Sequence, residues 1–259
     1  VAFSRHDARM GDFSAGRRGV YYGLILLFLG TMNWTCSTNN IVMLWVSLEA
    51  TTLAMTFQVT FYWHRESIEA GYKYLLLVAV GVAFALFGCV LVYSAGLAFL
   101  PGHEALLLSS IGKIAHKIPR NLVLLTAAFF IAGFGTKAGL LPFHAWVPDA
   151  HSEAPTPVSA LLSGVVLKIG AYALARTLTI FAPYYHPVVV FVALLASVGM
   201  LVAIFMAWAQ DDLKRLLAYH SVSQMGYVVE GLGMGTYLGI YGGLFHLVNH
   251  TVFKSLLFL

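Results

Sequence analysis

Seven side chains able to carry a proton sit within apolar stretches of this sequence: Glu49, Lys137, Lys168, His220, His246, His250 and Lys254. A charge at mid-bilayer costs about 2.5–3.5 kcal/mol on insertion scales, so in such a setting each must face a bundle interior, a partner or water. Glu49 lies near the middle of IVMLWVSLEATTLAMTF. An acid there reads as functional; the alternative is a carboxyl satisfied by neighbouring Ser and Thr hydroxyls. Lys137 lies in FFIAGFGTKAGLLPF, between Gly133, Gly135 and Gly139, with Pro142 following. Proline removes a backbone donor and crowds the preceding turn. A broken helix at membrane depth is tolerated only where it is buried or lines a cavity. The pattern therefore predicts a hydrated break holding an ammonium, against the alternative of a lysine that snorkels to the interface. Lys168 lies some eleven residues past Pro157, about 16 Å along a helix, too deep to snorkel easily.

His246, His250 and Lys254 recur every four residues, which puts them on one helix face about 6 Å apart per step. Histidine titrates near neutrality, so this row suits a proton relay bridged by water. A His-x3-His pair can also bind zinc on one face, but no acid accompanies this pair and the Lys254 ammonium would repel a cation. His220 lies about two turns into its own apolar run, beside Ser221, Ser223 and Gln224; a core histidine bonded to a hydroxyl is the competing reading. His144, Asp149, His151 and Glu153 have metal-like content without metal-like spacing. They read as structural, with Asp149 capping the segment beyond Pro148. Opposite charges at similar depth make Glu49 and Lys137 a candidate pair. While they are close, the carboxylate lowers the cost of the charged lysine; when they part, the proton is free to move through water to Lys168 and on to the His246 row.

These groups need long apolar elements to hold them. A helix crossing the hydrocarbon core needs about 20 residues, and runs of that order fall at 20–36, 40–63, 73–100, 121–146, 157–178, 187–210, 212–233 and 237–259. An all-α, polytopic membrane bundle of about eight transmembrane helices is the expected fold. Ser37-Thr38-Asn39-Asn40 is the turn between the first two, and 101–120, with Gly112 and Pro119, has room for an interfacial helix.

Composition agrees. Of 259 residues, 59% are hydrophobic and 10% charged, against about 25% charged in a soluble domain, so lipid is the expected solvent. The net charge of +4 is too small and too dispersed for nucleic acid. Cys36 and Cys89 both fall in apolar runs and offer neither a disulfide framework nor a metal site. With no GxGxxG, P-loop, CxxC cluster, Gly-x-Ser-x-Gly elbow or haem attachment motif, the chain is expected to bind no cofactor and no metal. Orientation follows from basic residues in the connections. Arg5, Arg9, Arg17, Arg18, Arg65, Lys73, Lys214 and Arg215 fall on one side; Lys113, Lys117, Arg120 and Arg176 fall on the other. The N-terminal side is expected to be cytoplasmic. The polar opening stretch and an apolar run that stops at Leu259 read as a piece of a longer protein.

Three long motifs also resemble a known superfamily. GTKAGLLPFHAWVPDAHSEAPTPVSALLSGVVLKIGAYALAR, DDLKRLLAYHSVSQMGY and HLVNHTVFKSLLFL are similar, in order, to the signatures of antiporter-like proton-channel subunits. That superfamily spans respiratory complex I, the Mrp cation/proton antiporters and the membrane-bound hydrogenases. STNNIVMLWVSLEATTLA with SIEAGYKYLLLVAVGVAFALFG looks most like the hydrogenase-4 component F type. The resemblance implies about fourteen helices in two inverted repeats, each with a discontinuous helix. It makes residues 1–259 a single transmembrane domain holding the fourth to eleventh of those helices, with a first repeat over 20–180 and an incomplete second over 187–259. It matches Glu49 to the family's acid on the fifth helix and Lys137 to the lysine on the broken seventh. Lys168 falls on the connecting lysine of the eighth, and His246, His250 and Lys254 on the relay of the eleventh. It implies a proton-translocating subunit in a prokaryotic plasma membrane, surrounded by other membrane subunits, paralogues among them, and by peripheral redox subunits and lipid. Two readings stay open: a pumping subunit of a redox-driven complex, and an antiporter or inorganic-carbon uptake subunit without electron transfer. A purely structural bundle would have to explain at least five ionisable groups at membrane depth.

Overall fold

Lipid offers a backbone no hydrogen-bond partners, so apolar runs of this length close their own bonds as helices. The computed structural model describes residues 18–259. Arg5, Arg9 and Arg17, which enter the count of basic residues above, lie outside the described residues. Eight long helices form: α1 (Arg18–Ser37), α2 (Ile41–Val59), α3 (Arg65–Gly96), α5 (Arg120–Ala138), α7 (Thr156–Phe181), α8 (His186–Trp208), α9 (Leu213–Gly233) and α10 (Tyr237–Phe258). Two short ones, α4 (Leu108–Ile114) and α6 (Trp146–Glu153), lie among them. No described residue belongs to a β-strand.

Five of the long helices, α2, α3, α5, α7 and α8, are long and apolar enough to cross a membrane by length and composition alone. The other three are as long but more polar. α9 carries Lys214, Arg215, His220, Gln224 and Glu230; α10 carries His246, Asn249, His250 and Lys254. Most of these polar residues belong to the site described below, and they lower the mean apolarity of the helices that carry them. Leu26, Phe57, Phe84, Leu194, Phe205 and Leu244 point outward, as lipid-facing side chains of a bundle do.

The two ends of the bundle are distinguishable. At one, Lys73 pairs with Glu69 at 2.8 Å and with Asp149 at 3.2 Å, and Arg215 reaches Asp149 at 3.3 Å. At the other, the turn before α2 bonds to α4, through Leu108 N–H to the Asn39 carbonyl at 2.8 Å and Asn39 Nδ2 to Ser109 Oγ at 2.8 Å. α4 is the helix for which the sequence left room. Asn40 caps α2 by accepting from the N–H groups of Val42 and Met43.

Three local expectations change. The third run starts at Arg65, not 73, because the Glu69–Lys73 pair, one turn apart, lets the helix carry its charges at the bundle end. The run over 121–146 is two pieces: α5 stops at Ala138 and α6 begins at Trp146. Asp149 does not cap α6. It sits inside it and joins α3 to α9.

Small residues set the helix spacing, as they do where lipid supplies no hydrophobic drive for association. The tightest approach of a glycine to neighbouring backbone among the described residues is α7 on α5. A Cβ at Gly170 would lie 2.4 Å from the Ala138 nitrogen and 2.6 Å from the Lys137 carbonyl carbon. Those neighbours are backbone and cannot turn aside. Gly170→Ala is therefore expected to lower stability by about 1–3 kcal/mol, the range for overpacking, read as a drop in thermal midpoint of the purified protein in detergent. An unchanged midpoint would show that the two helices can part without cost.

Candidate proton path

Lys137 occupies the last turn of α5, and its placement follows from the break. Gly139 takes a left-handed conformation (φ 69°) that ends the helix, and Leu140 N–H returns to the Gly135 carbonyl at 2.9 Å. The Thr136 carbonyl, which accepts from Gly139 N–H at 3.1 Å, also accepts from Trp146 Nε1 at 2.8 Å. α6 is thereby fastened to the turn that holds Lys137.

The lysine is completely buried. Its ammonium donates to Thr52 Oγ1 on α2 at 2.8 Å and to Tyr74 OH on α3 at 3.2 Å. Glu49, one turn before Thr52, is near enough for its charge to act on Lys137, yet no ion pair within 4.0 Å joins them among the described residues. One carboxyl oxygen, Oε2, is buried with no protein partner. The neighbouring hydroxyls do not satisfy it: Ser47 donates to the Leu44 carbonyl, and Thr51 and Thr52 donate to that of Leu48. The structure thus brings Glu49 and Lys137 together and inserts two hydroxyls that the sequence reading did not assign. Thr52 shares a helix face with Glu49, a signal present in the sequence. Tyr74 gave none, since the predicted run began one residue before it.

Lys168 belongs to a second cluster. α7 widens into a π turn over Leu162–Val166, a feature frequent at functional sites, and Lys168 Nζ donates to the Ser163 carbonyl within it. Ser163 Oγ meets Ser221 Oγ of α9 at 2.7 Å; Ser221 also donates to the Leu217 carbonyl at 2.8 Å. Lys254, fully buried on α10, donates to the same carbonyl at 2.7 Å. Lys168 and Lys254 are therefore linked through the Ser163 carbonyl and hydroxyl, the Ser221 hydroxyl and the Leu217 carbonyl, close enough for their charges to interact.

His246, His250 and Lys254 share one face of α10. The rings of His246 and His250 lie 6.0 Å apart, centre to centre. Gln224 Oε1 bonds His246 Nε2 at 2.8 Å. Both nitrogens of His250, and Nδ1 of His220, are buried without a protein partner. Orphaned buried polar atoms call for an explanation, and a water-linked relay is one. His220 is within reach of the Lys254 charge but not bonded to the hydroxyls beside it in sequence. His151 is also drawn in. It is fully buried on α6, stacks on Phe258 at 5.0 Å, has neither ring nitrogen bonded, and feels the charges of Lys254, Lys168 and Lys214. Sequence reasoning gave it a structural part, because nothing along the chain places α6 against α10.

Among the described residues no hydrogen bond joins the Lys137 cluster to the Lys168 cluster, and no three His, Cys, Asp or Glu side chains converge as metal ligands would.

The comparisons with known proteins bear on this arrangement. A hydrogenase-4 component F homolog of Methylacidiphilum infernorum is 37% identical over 98% of this chain and 54% of its own length. The chain superposes on part of the membrane-bound sulfane sulfur reductase, an archaeal respiratory membrane complex, with a TM-score of 0.83, at 31% identity over 91% of this chain and 47% of that one. It superposes on part of the Mrp complex from Dietzia sp. DQ12-45-1b with a TM-score of 0.82, at 30% identity over 93% of this chain and 26% of that one. The chain spans about half the length of the curated relatives it matches. The family model described as "NADH:quinone oxidoreductase/Mrp antiporter, TM" matches residues 38–259. Those residues hold every group of the candidate path. Together with the apolar helices, the match makes this an integral membrane protein, and the chain belongs to the NADH:quinone oxidoreductase/Mrp antiporter transmembrane family.

Proposed function

We propose that the protein is a proton-translocating, antiporter-like membrane subunit of a redox-driven ion pump, of the NADH:quinone oxidoreductase or membrane-bound hydrogenase type. Protons move along Glu49, Lys137, Lys168, His220, His246, His250 and Lys254, with His151 bordering the second cluster. The observation that carries the reading is the burial of three lysines, Lys137, Lys168 and Lys254, each held by neutral oxygens with no carboxylate bonded to it among the described residues. An ammonium so placed is costly in lipid surroundings and is suited to lose its proton and regain it. Glu49 modulates that cost at Lys137. Redox chemistry belongs to partner subunits, and other membrane subunits, paralogues included, flank this one. The end carrying Lys73, Lys214 and Arg215 faces the cytoplasm of a prokaryotic cell, as the distribution of basic residues indicates. Residues 20–180 and 187–259 belong to two repeats of one transmembrane domain.

A second reading has a specific support, the close superposition on the Mrp complex: cation/proton antiport without electron transfer. Sealed vesicles holding the native complex separate the two. Addition of the electron donor is expected to drive proton movement, and an imposed sodium gradient without donor is expected to drive none. The reverse pattern would establish the antiporter.

A further inference from the structure

We propose that Thr52 and Tyr74 form a second, neutral dock for the Lys137 ammonium, in exchange with Glu49, and that Trp146 ties this dock to the helix break. The inference rests on the proton path proposed above and adds the residues that decide which partner Lys137 holds.

The geometry has three parts. First, the ammonium donates to the Thr52 hydroxyl at 2.8 Å and the Tyr74 hydroxyl at 3.2 Å while Glu49 Oε2, buried nearby, has no protein partner. Two adjacent sites thus compete for one ammonium, one of hydroxyls and one of carboxylate. Second, the dock is oriented to accept. Thr52 spends its proton on the Leu48 carbonyl at 3.2 Å, which turns its lone pairs to Lys137. Third, the dock is braced by the break. The Tyr74 ring meets Trp146 edge-on with centroids 5.0 Å apart. The Trp146 indole N–H holds the Thr136 carbonyl, one residue before Lys137. A shift of α6 against α5 therefore moves the ring that carries one of the two hydroxyls.

The dock has a functional consequence. An ammonium bound to a carboxylate is held by opposite charge, whereas one bound to hydroxyls is held only by dipoles. Transfer to the hydroxyls readies Lys137 to give up its proton, and return to Glu49 readies it to take another. Thr52 and Tyr74 are positioning residues: they act through Lys137.

The test compares variants of the full-length protein in its complex, reconstituted in sealed vesicles. Thr52→Val keeps the shape and removes the hydroxyl, and Tyr74→Phe keeps the ring. Each is expected to slow proton transport by roughly tenfold or more, the scale of one hydrogen bond to a charged group, with assembly retained. Thr52→Ser, which restores the hydroxyl without the methyl, is expected to recover most of the rate lost in Thr52→Val. Isotope-edited infrared spectra should show the Glu49 carboxyl band displaced in Tyr74→Phe, because the neutral dock then keeps only the Thr52 hydroxyl and the lysine shifts towards Glu49. Wild-type transport in both Thr52→Val and Tyr74→Phe overturns the proposal. So does harm from Thr52→Ser with none from Thr52→Val, which marks a packing role for the methyl. If Thr52→Val fails to assemble, Tyr74→Phe and its infrared band decide alone. A Lys137→Ala variant separates the levels: inactive Lys137→Ala beside active dock variants removes the dock only, whereas active Lys137→Ala removes the proton path itself.

Discussion

Lys137→Ala and Glu49→Gln, each made in the full-length protein within its complex, are expected to abolish most proton transport while the complex still assembles. The two losses differ in origin. Removing Lys137 removes a carrier, and the Thr52 and Tyr74 hydroxyls are left to partner one another. Glu49→Gln keeps size and hydrogen bonding but deletes the charge that acts on Lys137. A one-unit change in proton affinity is worth about 1.4 kcal/mol, so losing the charge of a buried neighbour is enough to strand the lysine in one protonation state. Assembly is expected to persist in Glu49→Gln because the glutamate makes no ion pair among the described residues; its Oε2 already lacks a protein partner. Donor-driven proton movement in sealed vesicles, with complex content measured alongside, is the check. Normal pumping by either variant would remove the pair from the mechanism.

Much of this arrangement is legible in the sequence, and the limits of that legibility have physical causes. The length of the apolar runs placed the eight long helices because lipid demands such runs, and the same demand makes each buried charge conspicuous. The row on α10 follows from helical spacing alone: His246 and His250 lie 6.0 Å apart, as a four-residue step requires. The break around Lys137 was visible as glycines and a proline, but its position was not. It falls after Lys137 because Gly139, not Pro142, takes the left-handed turn, and so Lys137 stays helical. The meeting of partners contributed by different helices left no trace. Thr52, Tyr74 and Trp146 come together from α2, α3 and α6, and composition along one element cannot report such a meeting. The π turn before Lys168 has no distinguishing residue types either. Asp149 was read as a local cap because caps are local motifs, whereas its two ion partners lie on α3 and α9.

Lys254→Arg is expected to suppress transport to near background with the complex intact. Lys254 is fully buried, donates to the Leu217 carbonyl at 2.7 Å, and sits over the Phe258 ring at 5.6 Å from its centroid. Arginine keeps the positive charge and can keep the bond to Leu217, so a structural role for the charge would survive the exchange. Arginine does not deprotonate in proteins. A relay passes a proton only if each member is neutral part of the time, so a permanent cation at 254 blocks it. The block reaches further than one site. Lys168 is joined to Lys254 through Ser163, Ser221 and the Leu217 carbonyl, and a fixed charge at one end opposes protonation at the other. The larger side chain brings an overpacking cost of about 1–3 kcal/mol, which complex yield and thermal midpoint would expose. Two companion variants separate steric harm from chemical harm. Lys254→His is smaller and can both take and release a proton, and it should recover part of the rate. His250→Gln keeps hydrogen bonding without titration and should be harmful in spite of it. Wild-type transport by Lys254→Arg would mean that Lys254 carries no proton, and the His246, His250 and Lys254 row would then be a packing feature of α10.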